Sequence, residues 1–92
     1  MLLSFSTQAR LFLGKHFKKH RESNSITQSQ VASSLGYGSP QFVSNFERGI
    51  CVLPFKDIHT VIKSYKISKE ETLRLYLEAT EISLNDYLSS SD

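Results

Sequence analysis

Gln41, Ser44 and Asn45 stand within little more than one helical turn of each other in the segment SPQFVSNFE over 39–47. Glutamine and asparagine amides each present a donor beside an acceptor, the pattern that pairs bidentately with an adenine edge. A serine hydroxyl can donate to several acceptors. Phe42 adds an apolar surface that could meet a thymine methyl. Gln28, at the start of an earlier helical pattern, could bring side-chain and backbone donors to a phosphate. These are parts from which a surface that reads duplex DNA can be built. The same residues would serve equally as an ordinary solvated face, and spacing alone leaves both readings open.

Other chemistry has weaker support. His16, His20, His59 and Cys51 show no finger-like spacing, although His16 and His20, one turn apart, could hold a metal weakly. Cys51 has no histidine or acidic residue near it in sequence to activate a nucleophile, and fits a small apolar role. No phosphate-cradling glycine motif is present. Neither an enzyme nor a bound cofactor is expected.

The candidate side chains need two short helices to hold them. Thr27 and Gln30 make a capping-box pattern at the head of a helix over about 28–35. Val31, Ala32 and Leu35 share one face there, and Gly36 stands where a left-handed cap is wanted. Ser39 can cap a second helix over about 40–48, with Pro40 at its first position, where a missing N–H costs little. Val43 and Phe46 form its inward stripe, and Gly49 stops it. Two-turn helices are marginal alone, so flanking segments must hold them.

A helix over 7–22 offers Phe12 or Leu13 and Phe17 as an apolar face, with Gly14 accepted at a helical cost. Ile26, before the Thr27 cap, can act as a hydrophobic staple. Pro54 opens a fourth helix over about 55–65, with Ile58, Val61, Ile62 and Tyr65 inward. A second capping box, Ser68 with Glu71, starts a fifth helix that should run to about residue 81 on a stripe of Leu73, Tyr76, Leu77 and Thr80. A short turn over 83–88 and a fraying tail over 89–92 complete the expectation. Between the third and fourth helices, Ile50-Cys51-Val52-Leu53 is an apolar connection that either folds onto the core or meets another surface.

Ninety-two residues without a repeat or composition break suit one domain around a modest core. The expected fold is all-α, a compact array of five or six helices over 1–92. No apolar run could span a bilayer, and MLLSFSTQARLFLGKHF lacks the early basic region and cleavage site of a signal peptide. A single cysteine excludes an internal disulfide and fits a reducing compartment, by default the cytoplasm. The net charge of +2 is unevenly spread. Residues 1–22 hold Arg10, Lys15, Lys18, Lys19 and Arg21 against Glu22, whereas 68–92 hold six acids against Lys69 and Arg74. The first stretch would suit a polyanion, unless it is simply a solvated surface.

From Leu13 to Ser68 the chain resembles the phage-repressor and Cro type of helix-turn-helix domain, the lambda-repressor-like family. The likeness lies in Leu13-Gly14, Phe17, Arg21, ITQSQVASSLG over 26–36, VSNFERG over 43–49, Pro54 and the apolar series to Ile67. It implies that helix 3 enters the major groove, with residues 69–92 as a helical extension. It further implies that Gln28 touches a phosphate and that Gln41 and Asn45 read base edges beside Ser39, Phe42 and Ser44. Arg21 and Glu47 would form an ion pair between helices 1 and 3.

Three features depart from the family pattern. The segment GYGSPQF is one residue longer than the usual turn, and Pro40 occupies a position that often carries a base reader. The loop after helix 3 supplies no Lys or Arg, leaving Arg48 and Lys56 as the nearest backbone contacts. Fewer phosphate contacts imply a shallow salt dependence and modest affinity, recovered by homodimerisation. Ile50, Cys51, Val52, Leu53, Leu84, Tyr87 and Leu88 are the dimer candidates, unless they close the monomer's own core. The expectation is a cytoplasmic, sequence-specific regulator, a repressor, that binds double-stranded DNA as a homodimer. The alternative is an antitoxin-like interaction module holding a protein partner. Neither reading involves a membrane.

Overall fold

A computed structural model describes residues 4–89. Five α-helices occur among them: α1 (Thr7–Ser23), α2 (Gln28–Ser34), α3 (Gln41–Glu47), α4 (Ile58–Tyr65) and α5 (Lys69–Ser89). No strand occurs among the described residues, and no helix there is long and apolar enough to cross a membrane. The fold is all-α.

Local chemistry sets most of the boundaries. Thr27 and Gln30 make both halves of the capping box at the head of α2, at 3.0 and 2.8 Å. Gly36 and Gly49 adopt φ of 79° and 75°, and each ends its helix in a Schellman motif. Around Gly36 the Tyr37 N–H donates to the Ala32 carbonyl, and around Gly49 the Ile50 N–H donates to the Asn45 carbonyl, both at 2.9 Å. At α5, only the hydroxyl half of the second box forms. Ser68 accepts from the Glu71 N–H at 3.0 Å, while the Glu71 carboxylate turns outward to Arg74 at 2.7 Å.

Three expected boundaries shift. Helix α3 begins at Gln41, with Pro40 itself at the N-cap position. The Ser39 hydroxyl lies 3.4 Å from the Gln41 N–H, too far for a strong cap. The fourth helix is split, with a 3-10 turn at Phe55–Asp57 leading into α4. Helix α5 does not stop near 81. It runs without a break to Ser89, and the expected separate turn over 83–88 is part of it. The reason is a distant anchor: the buried Ser83 hydroxyl accepts the Ser6 N–H at 3.0 Å, and the Ser6 hydroxyl donates to Asp86 at 2.7 Å. Ser6 also caps α1 by accepting from the Ala9 N–H. The two ends of the domain are thereby tied together. Of the expected fraying tail, Ser89 closes α5 and residues 90–92 lie outside the described residues.

The inward face of α5 also differs from the expected one. Thr72, Leu75, Ala79 and Ser83 are buried, whereas Leu73 and Leu77 remain 61% and 63% exposed. Small residues win because α1 passes close by, with Ala9, Ala79 and Ser83 all at 0% exposure. Phe17 occupies the centre of the core. Its ring meets those of Phe46, Tyr65 and Tyr76 edge-on, with centroids 5.0, 5.2 and 6.3 Å away. Leu13, Val31, Ala32, Val43, Leu53, Val61, Ile67 and Leu75 complete the apolar cluster.

Candidate nucleic-acid interface

Helix α3 is held from behind at two places. The first is Gly14 of α1, where an added Cβ would lie 2.4 and 2.6 Å from the carbonyl oxygens of Glu47 and Phe46. Only a residue without a side chain lets the last turn of α3 rest directly on α1. This contact gives Gly14 a packing role that outweighs its helical cost.

The second is a buried polar cluster around Glu47. Arg21 of α1 donates from Nε at 2.7 Å and from Nη2 at 2.9 Å, one to each carboxylate oxygen. The Tyr65 hydroxyl of α4 donates at 2.8 Å, and the Gln28 amide of α2 at 3.0 Å. Arg21 Nη1 donates to the Ile26 carbonyl at 2.8 Å. Four helices therefore meet on one carboxylate whose side chain is 1% exposed. Burial pulls the Glu47 pKa upward, but hydrogen bonds from Arg21, Gln28 and Tyr65 outweigh it and hold the carboxyl below its ordinary value. The bond to Glu47 raises Arg21, against its own burial. Burial, with the Glu47 charge beside it, pushes the Tyr65 hydroxyl well up.

Gln28 acquires an unforeseen task in this cluster. One amide hydrogen is engaged by Glu47, so the side chain is half-buried and fixed in direction. With Arg21, Glu22, Thr27, Ser29 and Pro40 it lines an open depression of about 630 Å³ beside the heads of α2 and α3.

Gln41 on α3 and Arg48 just past its end are exposed, with Ser44 and Asn45 half-buried between them. Gln41 Nε2 donates to Asn45 Oδ1 at 2.9 Å, so the two amides form one joined unit rather than two independent groups. Each amide keeps donor and acceptor capacity beyond that bond. Phe42 is half-buried and leans on Tyr37 with ring centroids 5.2 Å apart. Tyr37, 40% exposed on the turn, was not among the expected residues. Its only sequence signal is an aromatic placed between two glycines. Ser39 is exposed on the same turn.

The free positive charge is narrower than the composition of the first stretch suggests. Arg10 is half-buried and structural, donating to the carbonyls of Gly49 at 2.9 Å and Phe5 at 2.8 Å and to Thr7 at 3.1 Å. With Arg21 also buried, Lys15, Lys18 and Lys19 are the exposed cations of that stretch. Arg48 and Lys56 are exposed on either side of the apolar loop. The loop itself divides. Leu53 is 3% exposed and belongs to the monomer's core, which removes it from the dimer candidates, while Ile50 and Val52 are 54% and 43% exposed. Cys51 is half-buried, and burial raises its thiol pKa.

What the site offers is a row of amide, hydroxyl and guanidinium groups on a helix fixed from behind. Among the described residues, no three His, Cys, Asp or Glu side chains gather where they could hold a metal ion. Comparison with protein-family models, with curated proteins and with solved structures found no match.

Proposed function

We propose that this chain is a sequence-specific DNA-binding regulator that acts in the cytoplasm, with α2 and α3 as a helix-turn-helix and α3 in the major groove. The observation that carries this reading is the Gln41–Ser44–Asn45 row, presented on a helix whose inner side is locked by Gly14 and Glu47. A fixed helix loses little freedom on binding, so its amides can select bases rather than adapt to any surface. The free amide hydrogen of Gln28 at the head of α2 meets a backbone phosphate, and Arg48 and Lys56, exposed on either side of the apolar loop, neutralise others. A second copy of the chain is the expected partner, because one such unit reads only a few base pairs and two read paired half-sites. Occupancy of the site then hinders polymerase, which makes repression the direct outcome.

The exposed Ile50, Val52 and Phe55 favour one other reading, an interaction module that holds a protein partner on that loop. Combined Gln41→Ala and Asn45→Ala replacement separates the two. Loss of sequence-selective binding by a folded variant supports the DNA reading, and unchanged selectivity removes α3 as the reader.

A further inference from the structure

The structural bonds of Arg10 leave its charge unanswered. Arg21 and Arg74 are each bound to carboxylates, and Arg48 is exposed to solvent. Arg10 is half-buried, and it donates to the carbonyls of Gly49 and Phe5 and to the Thr7 hydroxyl, all neutral acceptors. Among the described residues no carboxylate pairs with it. These bonds use one hydrogen on each guanidinium nitrogen, so Nη1 and Nη2 each keep a second. Arg10 also lines a cleft of about 830 Å³ beside the apolar loop. That volume falls in the range of about 300–1,000 Å³ usual for small-molecule sites. Its walls are largely apolar, with Phe5, Ile50, Val52, Leu53 and Phe55 among them, and Arg10 is the only charged residue that lines it. Burial raises the pKa of the Cys51 thiol in the same cleft and the Arg10 charge opposes it, so the guanidinium lies within electrostatic reach of the thiol.

We infer that this cleft binds a small organic acid with an aliphatic body, of the medium-chain fatty acid class, its carboxylate on Arg10 and its chain against Phe5, Ile50, Val52 and Phe55. The carboxylate supplies the counter-charge that the fold does not. Its two oxygens match the two N–H groups left on the planar guanidinium, which the bonds to Gly49, Phe5 and Thr7 already hold in place. The chain covers side chains that the domain leaves in water, since Ile50, Val52 and Phe55 are 54%, 43% and 75% exposed. One cation among uncharged walls suits a monoanion and not a nucleotide, whose phosphates call for several donors. This site stands on Arg10 and the apolar loop and does not require α3 to bind DNA.

Calorimetric titration of the full chain with decanoate, well below its micelle concentration and without DNA, tests it. Decanoate should bind saturably, one molecule to each chain. Octanoate should bind about tenfold more weakly, because two fewer methylenes are buried. Decanol, which keeps the chain and lacks the charge, should also lose about tenfold or more. Bound decanoate should slow alkylation of Cys51, the only cysteine of the chain, by an uncharged maleimide. Arg10→Ala should remove the preference for decanoate over decanol. Because Arg10 also ties Phe5 and Gly49 into the fold, Val52→Asp provides a second variant. Val52 is exposed, so circular dichroism and melting should stay near wild type, while a negative charge in the cleft weakens decanoate binding by about tenfold or more. A chain that takes up no decanoate, or takes it up without saturation, overturns the inference. If sedimentation then shows a dimer that Val52→Asp dissociates, the cleft belongs to a second copy. Equal affinity for decanoate and decanol, unchanged alkylation of Cys51, or binding indifferent to Val52→Asp overturns it as well. None of these outcomes bears on DNA binding by α3.

Discussion

Replacing Glu47 with glutamine tests the structural half of the account most sharply. The carboxylate accepts four hydrogen bonds, two from Arg21 and one each from Gln28 and Tyr65. A glutamine keeps the shape but turns one acceptor oxygen into a donor, so one side of the cluster faces donor against donor. Arg21 is left buried, at 9% side-chain exposure, without its counter-charge. Breaking a buried pair from one side costs about 3–5 kcal/mol. For a domain of this size that corresponds to a fall in Tm of about 12–40 °C. Urea and thermal unfolding followed by circular dichroism measure both. The combined Arg21→Met and Glu47→Leu variant should lose much less than the sum of its two singles, since no unpaired charge remains. The cluster also predicts a pH profile. The Glu47 pKa in the folded state lies below its ordinary value of 4.5, so its stabilisation is complete above that value and declines as the pH falls through the lowered one. Glu47→Gln should flatten this acid limb. A cost below about 1 kcal/mol at neutral pH, or an unchanged acid limb, would refute the assignment of Glu47 as a buried, shared acceptor.

Gly14→Ala separates packing from propensity by its sign. Helix propensity alone predicts a gain of about 0.5–1 kcal/mol, whereas the 2.4 Å approach to the Glu47 carbonyl predicts a loss of about 1–3 kcal/mol or more; a raised Tm would contradict the contact. Ser83→Ala should cost about 1–3 kcal/mol by orphaning the buried Ser6 N–H, and amide exchange at Ser6 should accelerate; unchanged protection there would count against the anchor. Arg48→Ala and Lys56→Ala should weaken DNA binding about equally on all sequences, and each should lower the salt slope by about one unit as one phosphate goes unneutralised; an altered base preference would instead place those cations on base edges.

The parts legible in the sequence are those decided within a few residues. The Thr27–Gln30 box and the two glycine caps are local, and they stand where the pattern places them. Pro40 shows the limit of the local rule: a capping serine before a proline suggested a helix start one residue too early. Pairings between distant segments leave no such trace. Ser6 meets Ser83 and Asp86 across nearly the whole chain, and serine and aspartate carry no hydrophobic signal. Helix α5 misled for the same physical reason. Close packing against α1 selects Ala79 and Ser83 for their size, so the leucines that dominate the apolar pattern face outward. At the candidate site, residue types were readable but engagements were not. Gln28 and Arg10 read as free donors, yet each is turned to a partner inside the fold.

The central claim is that the amide row of α3 selects a DNA sequence. Selection of bound duplexes from a random pool, followed by sequencing, addresses it directly. The expected result is enrichment of a two-fold symmetric motif with half-site centres one helical turn apart, about 34–36 Å along the duplex. That enrichment should disappear when Gln41 and Asn45 are both replaced by alanine. A pool that shows no enriched motif, or the same motif from wild type and the double variant, would contradict it.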